Sequence, residues 1–127
     1  MTQKQELHTD REPAPLGAYS QGIVSGDLVF TAGCGPINVD TGTMPDGIAA
    51  QTKQTLKNVE AILAEAGCTL DDALKVTVHL ADLDDFAEFD AAYAPFFTEP
   101  RPVRTTVGSA LLGGILVEID VIARRRG

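Results

Sequence analysis

The segment Lys75-Val76-Thr77-Val78-His79-Leu80 alternates between polar and apolar side chains. Because successive side chains of an extended chain point to opposite faces, its valines and leucine share one face and its polar residues share the other. This alternation predicts a strand that is buried on one face only. His79 falls on the polar face, where the pattern favours an ordinary surface histidine over a catalytic one.

Helical periodicity lies on either side of this strand. From Ile48 to Leu63, apolar residues recur at steps of three and four, and Gly67 follows as a C-terminal stop. After the strand, Asp82-Leu83-Asp84-Asp85 places acidic side chains at the N-terminus of a second helix, where the helix dipole favours them. The apolar stripe of this second helix consists of Phe86, Phe89, Tyr93 and Phe97.

The remaining strands lie near the two ends of the chain. Two apolar runs, Ile23-Val24 and Leu28-Val29-Phe30, flank Ser25-Gly26-Asp27 and predict a hairpin. Arg104-Thr105-Thr106-Val107 is typical of a strand, and residues 115–123 alternate again. The predicted order is strand, strand, helix, strand, helix, strand, strand. We therefore expect an α+β domain in which a mixed β-sheet carries two α-helices packed on one face.

The length of the chain, 127 residues, suits a single domain. Residues 1–12 are polar and charged without periodicity, which predicts a flexible N-terminal tail, and residues 13–127 form the predicted domain. A chain this short buries only about two-thirds of its unfolded surface. We therefore expect an active site that borrows walls from a second subunit.

The charge and the cysteines argue against several classes of function. The formal net charge of −8 opposes nucleic-acid binding, and Arg124-Arg125-Arg126 is interpreted as a solvated tail. Cys34 and Cys68 lie far apart and form no CxxC motif, so neither zinc nor a redox dithiol is indicated. The sequence shows no signal peptide and no apolar stretch long enough to span a bilayer. We expect a cytoplasmic protein with reduced thiols and no membrane partner.

Three charged residues near the C-terminus are the leading candidates for chemistry. Arg104 lies within a predicted strand, and its planar guanidinium suits a bidentate grip on a carboxylate. Glu118 and Asp120 share one face of the last strand and could position water and move protons. The structural alternatives are an ion pair between Arg104 and one of these acids on a neighbouring strand, and an ordinary solvated strand face.

Two further residues carry weaker signals. The phenol of Tyr19, within Gly17-Ala18-Tyr19-Ser20-Gln21, could line a pocket, although a core or rim aromatic is the simpler interpretation. Cys34 lies between two glycines and could be a reactive thiol, although nothing basic is near it in the sequence. No Gly-rich phosphate loop, HExxH or GxSxG motif is present. From these residues alone no reaction follows.

Taken together, the motifs resemble one known family over nearly the whole chain from Pro13 onward. No block is diagnostic alone, but their order and spacing are highly specific. The blocks are Gly17-Ala18-Tyr19-Ser20-Gln21, Phe30-Thr31-Ala32-Gly33 with Pro36, Asp40-Thr41-Gly42, the helical segment 51–58, Lys75-Val76-Thr77-Val78, Leu83-Asp84-Asp85-Phe86, the segment 101–107 and the segment 117–123. They are similar to those of the RidA family, also called YjgF or endoribonuclease L-PSP.

This resemblance implies a fold and a function. The fold is chorismate-mutase-like, in a homotrimer with clefts between subunits. The implied activity is hydrolysis of imines and enamines of the 2-aminoacrylate type to 2-keto acids and ammonia, with a small carboxylate substrate and no metal or organic cofactor. Two alternatives remain: a non-catalytic trimer that binds a small carboxylate and regulates a partner, and an endoribonuclease or translation inhibitor, which the acidic charge disfavours.

The resemblance also assigns roles to particular residues. Arg104 matches the arginine that holds the substrate carboxylate, Tyr19 matches a pocket tyrosine, and Thr106 falls where a cysteine is common. Cys34 is included with the candidate substrate contacts.

Three positions depart from the family pattern. The catalytic glutamate of the last strand is aligned with Asp120, which is one methylene shorter. Asp90 replaces a site asparagine, and Ala32 replaces a site serine.

Overall fold

The computed structural model describes residues 3–126, which form one six-stranded sheet and two α-helices. The strands are β1 (Gln5–Leu7), β2 (Gly22–Ser25), β3 (Leu28–Thr31), β4 (Ala73–Leu80), β5 (Val103–Gly108) and β6 (Val117–Arg124). The helices are α1 (Ile48–Ala64) and α2 (Phe86–Tyr93). The strand order is β1-β2-β3-β6-β4-β5, and only β4 and β5 pair in parallel. The α+β architecture is confirmed, and the predicted order of elements holds from β2 onward, with β1 as an additional strand.

The local sequence favours the end of α1 and the turn that leads into α2. After the last turn of α1, Gly67 adopts a φ of +72°, and the Cys68 N–H donates to the Leu63 carbonyl at 3.0 Å. This left-handed closure requires a glycine and is a common helix ending. Before α2, the Asp82 carboxylate accepts a hydrogen bond from the Asp84 N–H at 2.9 Å, as expected of a cap. The parallel β4–α2–β5 connection then makes β5 the free edge of the sheet.

The sheet has one covered face and one open face. The covered face packs against the helices and supplies the fully buried Val76, Val78, Leu80, Val117, Ile119 and Val121. On the open face, Phe30, Val103 and Val107 remain exposed beside polar threonines of β4 and β5. This face therefore mixes exposed apolar and polar side chains, and a mainly antiparallel sheet commonly leaves one face to solvent.

The N-terminal segment departs from the sequence-based expectation. Within the predicted tail of residues 1–12, Gln5–Leu7 forms β1 and pairs antiparallel with β2, Leu7 joins the core, and Thr9 is buried. The prediction of a flexible tail is wrong for this part, while residues 1 and 2 lie outside the described residues. A three-residue edge strand is too short to show periodicity, and only its pairing partner stabilises it.

No helix within residues 3–126 is both long and apolar enough to cross a membrane.

Candidate functional site

Two separate clefts contain the candidate residues. We call the first the Tyr19 cleft; it has a volume of about 410 Å³ and lies beside the N-terminal end of β6. It is lined mainly by apolar groups, and its polar side chains are Glu12, Tyr19, Gln21 and Glu118. The other lining residues include Leu16, Ala32, Gly33, Ile37, Leu112 and Ile115. An apolar cleft with a few converging polar groups is the usual form of a small-molecule site.

A bulge after β3 exposes Glu118 to this cleft. Beyond the Phe30–Ile122 pair, the chain re-pairs at Cys34 and Ile119, so the β3 side contains one extra residue. The Thr31 hydroxyl accepts the Val121 N–H at 3.0 Å in place of a backbone carbonyl. The bulge brings Gly33 so close to β6 that an added Cβ would lie 2.8 Å from the Glu118 carboxyl carbon. Any larger residue at position 33 would therefore displace the Glu118 carboxylate from this position.

The opposite wall of the Tyr19 cleft depends on Gln21. This side chain is 2% exposed, and its Oε1 accepts the buried Thr9 N–H at 2.8 Å. Its Nε2 lies 3.0–3.1 Å from the carbonyl oxygens of Thr9, Glu12 and Pro13 and from Oε2 of Glu12. One buried amide therefore holds the segment 9–13 against the sheet. The glutamine of the Gly-Ala-Tyr-Ser-Gln motif is a positioning residue.

Glu12 is the most strongly perturbed acid in the cleft. Burial raises the pKa of its carboxyl group from 4.5 to about 7, against the opposing hydrogen bond from Gln21. Cys34 is 1% exposed, and burial together with the charges of Glu12 and Glu118 raises the pKa of its thiol. Cys34 is therefore a protonated side chain behind the cleft wall. The structure does not place it among the groups that line the cleft.

The second cleft, which we call the Arg104 cleft, has a volume of about 430 Å³ and is lined by Asp90, Tyr93, Ala94, Arg101, Pro102 and Arg104. Arg104 points from the edge strand β5 toward α2. Its Nη1 donates to Oδ1 of Asp90 at 2.7 Å, and the two side chains are 22% and 47% exposed. Of the two arginines that line this cleft, Arg104 therefore already has a carboxylate partner within its own chain.

Three aromatic rings of α2 hold the Arg104 guanidinium in place. Its central carbon lies 4.7 Å from the ring centroid of Tyr93 and 5.5 Å from those of Phe86 and Phe89. Such contacts favour the cation and restrict its orientation. The aromatic stripe that the sequence predicts as helix core therefore also forms a cage for Arg104.

Tyr93 adds a free donor to the Arg104 cleft. Its hydroxyl is buried and has no hydrogen-bond partner within the described residues. Burial raises the pKa of this phenol, against the opposing charge of Arg104, so the hydroxyl keeps its proton. A buried donor without a partner is costly, and a ligand acceptor in this cleft would satisfy it.

The register of the sheet separates Arg104 from the two acids of β6. Arg104 pairs with Val76 and lies on the covered face, whereas Glu118 and Asp120 pair with His79 and Thr77 on the open face. Strand β4 also lies between β5 and β6. The alternative ion pair of Arg104 with Glu118 or Asp120 is therefore excluded, and Asp90 takes their place.

The structure distinguishes the two acids that the sequence could not. Glu118 lines the Tyr19 cleft, whereas Asp120 does not and lies two residues further along β6. Burial raises the pKa of Asp120, with opposing contributions from His79, Thr77 and Lys75. The sequence assigns the site acid to Asp120, but Glu118 is the acid of β6 that lines the cleft, and Asp120 lies among polar groups of β4. Alternation alone places both acids on one face and cannot choose between them.

The other predicted residues divide between the two clefts. Tyr19 and Ala32 line the Tyr19 cleft, and the Tyr19 hydroxyl accepts the Leu16 N–H at 3.2 Å. Thr106 lies two residues beyond Arg104 on the same strand face. His79 contacts the Ser109 hydroxyl at 2.7 Å and lines neither cleft.

Sequence reasoning missed Glu12 and Tyr93. Glu12 was assigned to the tail, and Tyr93 was assigned to the core. For Tyr93, the spacing of the aromatic stripe opposite a strand arginine is a usable signal. For Glu12 the sequence offers no such signal, because its burial arises from the hydrogen bonds by which the Gln21 side chain holds the segment 9–13.

Among residues 3–126, no group of three or more His, Cys, Asp or Glu side chains is arranged to hold a metal ion.

Comparisons with a family model, with related sequences and with solved structures all point to the same family. Residues 9–125 match the family model described as endoribonuclease L-PSP. The chain is 43% identical to a RutC family protein of Pyrococcus abyssi, over 94% of this chain and 96% of that protein. It is also 43% identical to the 2-iminobutanoate/2-iminopropanoate deaminase of Escherichia coli K12, over 94% and 97% of the two chains. The crystal structure of E. coli TdcF with bound serine superposes with a TM-score of 0.90 at 36% identity, covering 96% of this chain and 99% of that one.

Proposed function

The chain belongs to the endoribonuclease L-PSP family, and from that premise we propose that it is a cytoplasmic homotrimeric hydrolase that converts imines of small 2-amino acids to 2-keto acids and ammonia. Its relatives include proteins named as 2-iminobutanoate/2-iminopropanoate deaminases. The observation that carries the proposal is the presence of two complementary clefts, one with proton-transfer groups and one with a carboxylate-binding cation.

The two clefts complete one site only when two copies of the chain meet. Within one chain, Arg104 and Glu118 project from opposite faces of the sheet, with β4 between their strands. Neighbouring strands lie about 4.8 Å apart, so the backbones of β5 and β6 are separated by about 10 Å. The side chains of Arg104 and Glu118 lie still further apart, because they point to opposite faces. Arg104 sits on the free edge strand, where it can reach over the open face of a second copy. A trimer with the two half-sites juxtaposed at each interface satisfies this geometry.

The substrate we propose is a small carboxylate with an imine at the adjacent carbon. Arg104 and the free Tyr93 hydroxyl hold the carboxylate, because a planar guanidinium and a neutral phenol both donate hydrogen bonds. The carboxylate of Glu118 from the other copy removes a proton from the attacking water. The solved relative with bound serine supports a ligand of this size and charge.

Mixing two inactive variants tests the shared site. We expect Arg104→Ala and Glu118→Gln each to lose activity, measured as ammonia released from 2-iminopropanoate that an amino-acid oxidase generates from alanine. When the two are unfolded together and refolded as mixed trimers, about a quarter of the interfaces regain both residues, because each interface draws one protomer at random from each side. We expect about a quarter of wild-type activity.

In the control, each variant is unfolded and refolded alone. Both proteins must remain inactive. Mass spectrometry of the intact assemblies verifies that mixed trimers form. Mixed trimers without restored activity would overturn the site between subunits, and wild-type protein that releases no ammonia above the uncatalysed rate would overturn the deaminase function.

A non-catalytic carboxylate-binding trimer is the second candidate. It is favoured by the Asp90 carboxylate, which accepts a hydrogen bond from Arg104 at 2.7 Å. This ion pair lowers the net positive charge that a substrate carboxylate would meet in the cleft. Binding of serine or a 2-keto acid by calorimetry, together with unaccelerated imine hydrolysis, would support it. Ribonuclease activity is not proposed, because a chain with a net charge of −8 repels phosphate backbones.

A further inference from the structure

Glu12 is a half-buried acid that the proposed mechanism leaves unused. It lines the same cleft as Glu118, so the cleft contains two carboxyl groups among mostly apolar walls. Its Oε2 accepts a hydrogen bond from Nε2 of Gln21 at 3.0 Å, which fixes the carboxyl group toward the cleft wall. The buried Cys34 thiol lies behind this wall and donates to the Ala32 carbonyl at 3.6 Å. No ion pair to Glu12 is found within the described residues.

The environment of Glu12 is that of a proton donor. Desolvation raises its pKa to about 7, so at neutral pH a large fraction of the carboxyl groups hold a proton. The titratable groups around it are Tyr19 and Glu118 on the cleft walls and the Cys34 thiol behind. None of these is a cation that would drive the proton off. An acid with a pKa near the working pH transfers protons most effectively.

We propose that Glu12 is a second catalytic residue, the proton donor to the imine nitrogen of the substrate. This inference rests on the proposed function. Hydrolysis of an imine needs a base for the attacking water and an acid for the nitrogen, and a cleft with two separately tuned carboxyl groups supplies both.

The proton balance closes without any further reactant. In the first step, Glu118 takes a proton from water, the water oxygen bonds to the imine carbon, and the C=N electron pair moves to nitrogen, which takes the proton of Glu12. In the second step, Glu118 returns its proton to the amine, the C–N bond breaks, and Glu12 takes the hydroxyl proton as the C=O bond forms. Ammonia leaves, and both residues regain their initial protonation states.

The pH dependence of kcat tests this role. If Glu12 must be protonated, the kcat of the wild type falls at pH values above about 7. Glu12→Gln keeps the shape but cannot give a proton, so we expect kcat to fall by about 10²-fold or more and the alkaline limb to disappear. Glu6→Gln, the same change at an exposed position of β1, serves as the matched control and should leave kcat and its pH profile unchanged.

A second variant keeps the test decisive if Glu12→Gln folds poorly. Glu12→Asp keeps an ionisable carboxyl group that is one methylene shorter, so we expect a reduced kcat with the alkaline limb retained. A purely structural Glu12 would give no alkaline limb in the wild type or in this variant. An active wild type whose alkaline limb persists in Glu12→Gln, or a Glu12→Asp variant that lacks the limb, would overturn the role of Glu12 alone. A wild type without imine hydrolysis would overturn the proposed function and this inference with it.

Discussion

The Tyr19 cleft and the Arg104 cleft differ in almost every physical respect, although they are similar in volume. The first is mainly apolar, contains two carboxyl groups and opens on the uncovered face of the sheet. The second is formed around an arginine that is caged by aromatic rings and paired with Asp90. One has acids without a cation to bind a carboxylate, and in the other the carboxylate of Asp90 is paired with Arg104. This difference supports the proposal that each cleft is half of a site.

The largest effect should come from the two acids of β6. We expect Glu118→Gln to reduce kcat/KM for imine hydrolysis by about 10²–10⁴-fold, because it removes the base that faces the cleft. Asp120→Asn, the matched change two residues away, should cost no more than a fewfold. Steady-state ammonia release from both variants makes the comparison. A larger loss of kcat/KM in Asp120→Asn than in Glu118→Gln would show that Asp120 activates the water, as the sequence-based assignment expects.

The next effect concerns the grip on the carboxylate. Arg104→Ala should reduce kcat/KM by about 10²-fold, since a bidentate grip consists of two charge-assisted hydrogen bonds and each contributes about 1.5 kcal/mol or more. Arg104→Lys should be nearly as damaging, because an ammonium group lacks the planar fork. Circular dichroism and light scattering should show an unchanged fold and trimer. Unfolding of both variants would instead mean that the aromatic cage needs Arg104 for stability.

The buried acid of the Tyr19 cleft should also affect stability. The pKa of Glu12 is about 7 in the folded chain and 4.5 as its ordinary value, so the folded state binds this proton more tightly. Its contribution to stability is fully present below pH 4.5 and is lost as the pH rises through 7. The free energy of unfolding of Glu12→Gln, measured relative to that of the wild type, should therefore rise by about 1–2 kcal/mol from pH 5 to pH 8. This range allows for the partial solvent exposure of Glu12.

Urea unfolding at fixed protein concentration measures this gain, with Glu6→Gln as the control. Equal stability differences at the two pH values would show that Glu12 is not buried in this way.

The smallest effect should come from the internal partner of Arg104. Asp90→Asn removes the carboxylate that competes with the substrate, so we expect KM for a carboxylate imine to fall by about two- to fivefold, in line with a partly exposed ion pair. The value of kcat should change less than KM. A raised KM would show that Asp90 orients Arg104 for the substrate and does not compete with it.

Much of the architecture follows from the sequence alone. The alternation of residues 75–80 and the three- and four-residue spacing from Ile48 correctly predict the strand and the long helix, because burial on one face of each element imposes that periodicity. The motifs that surround Tyr19 and Arg104 also identify the family correctly. These features depend on residues near one another in the chain.

The arrangement of the site was decided only by tertiary structure. Alternation places Glu118 and Asp120 on the same face, but the bulge at Gly33 determines which carboxylate reaches the cleft. The position of β4 between β5 and β6 separates Arg104 from both acids. The burial of Glu12 depends on the amide of Gln21, nine residues away. Each of these three features depends on contacts between different segments of the chain. The local periodicity of the sequence cannot predict such contacts.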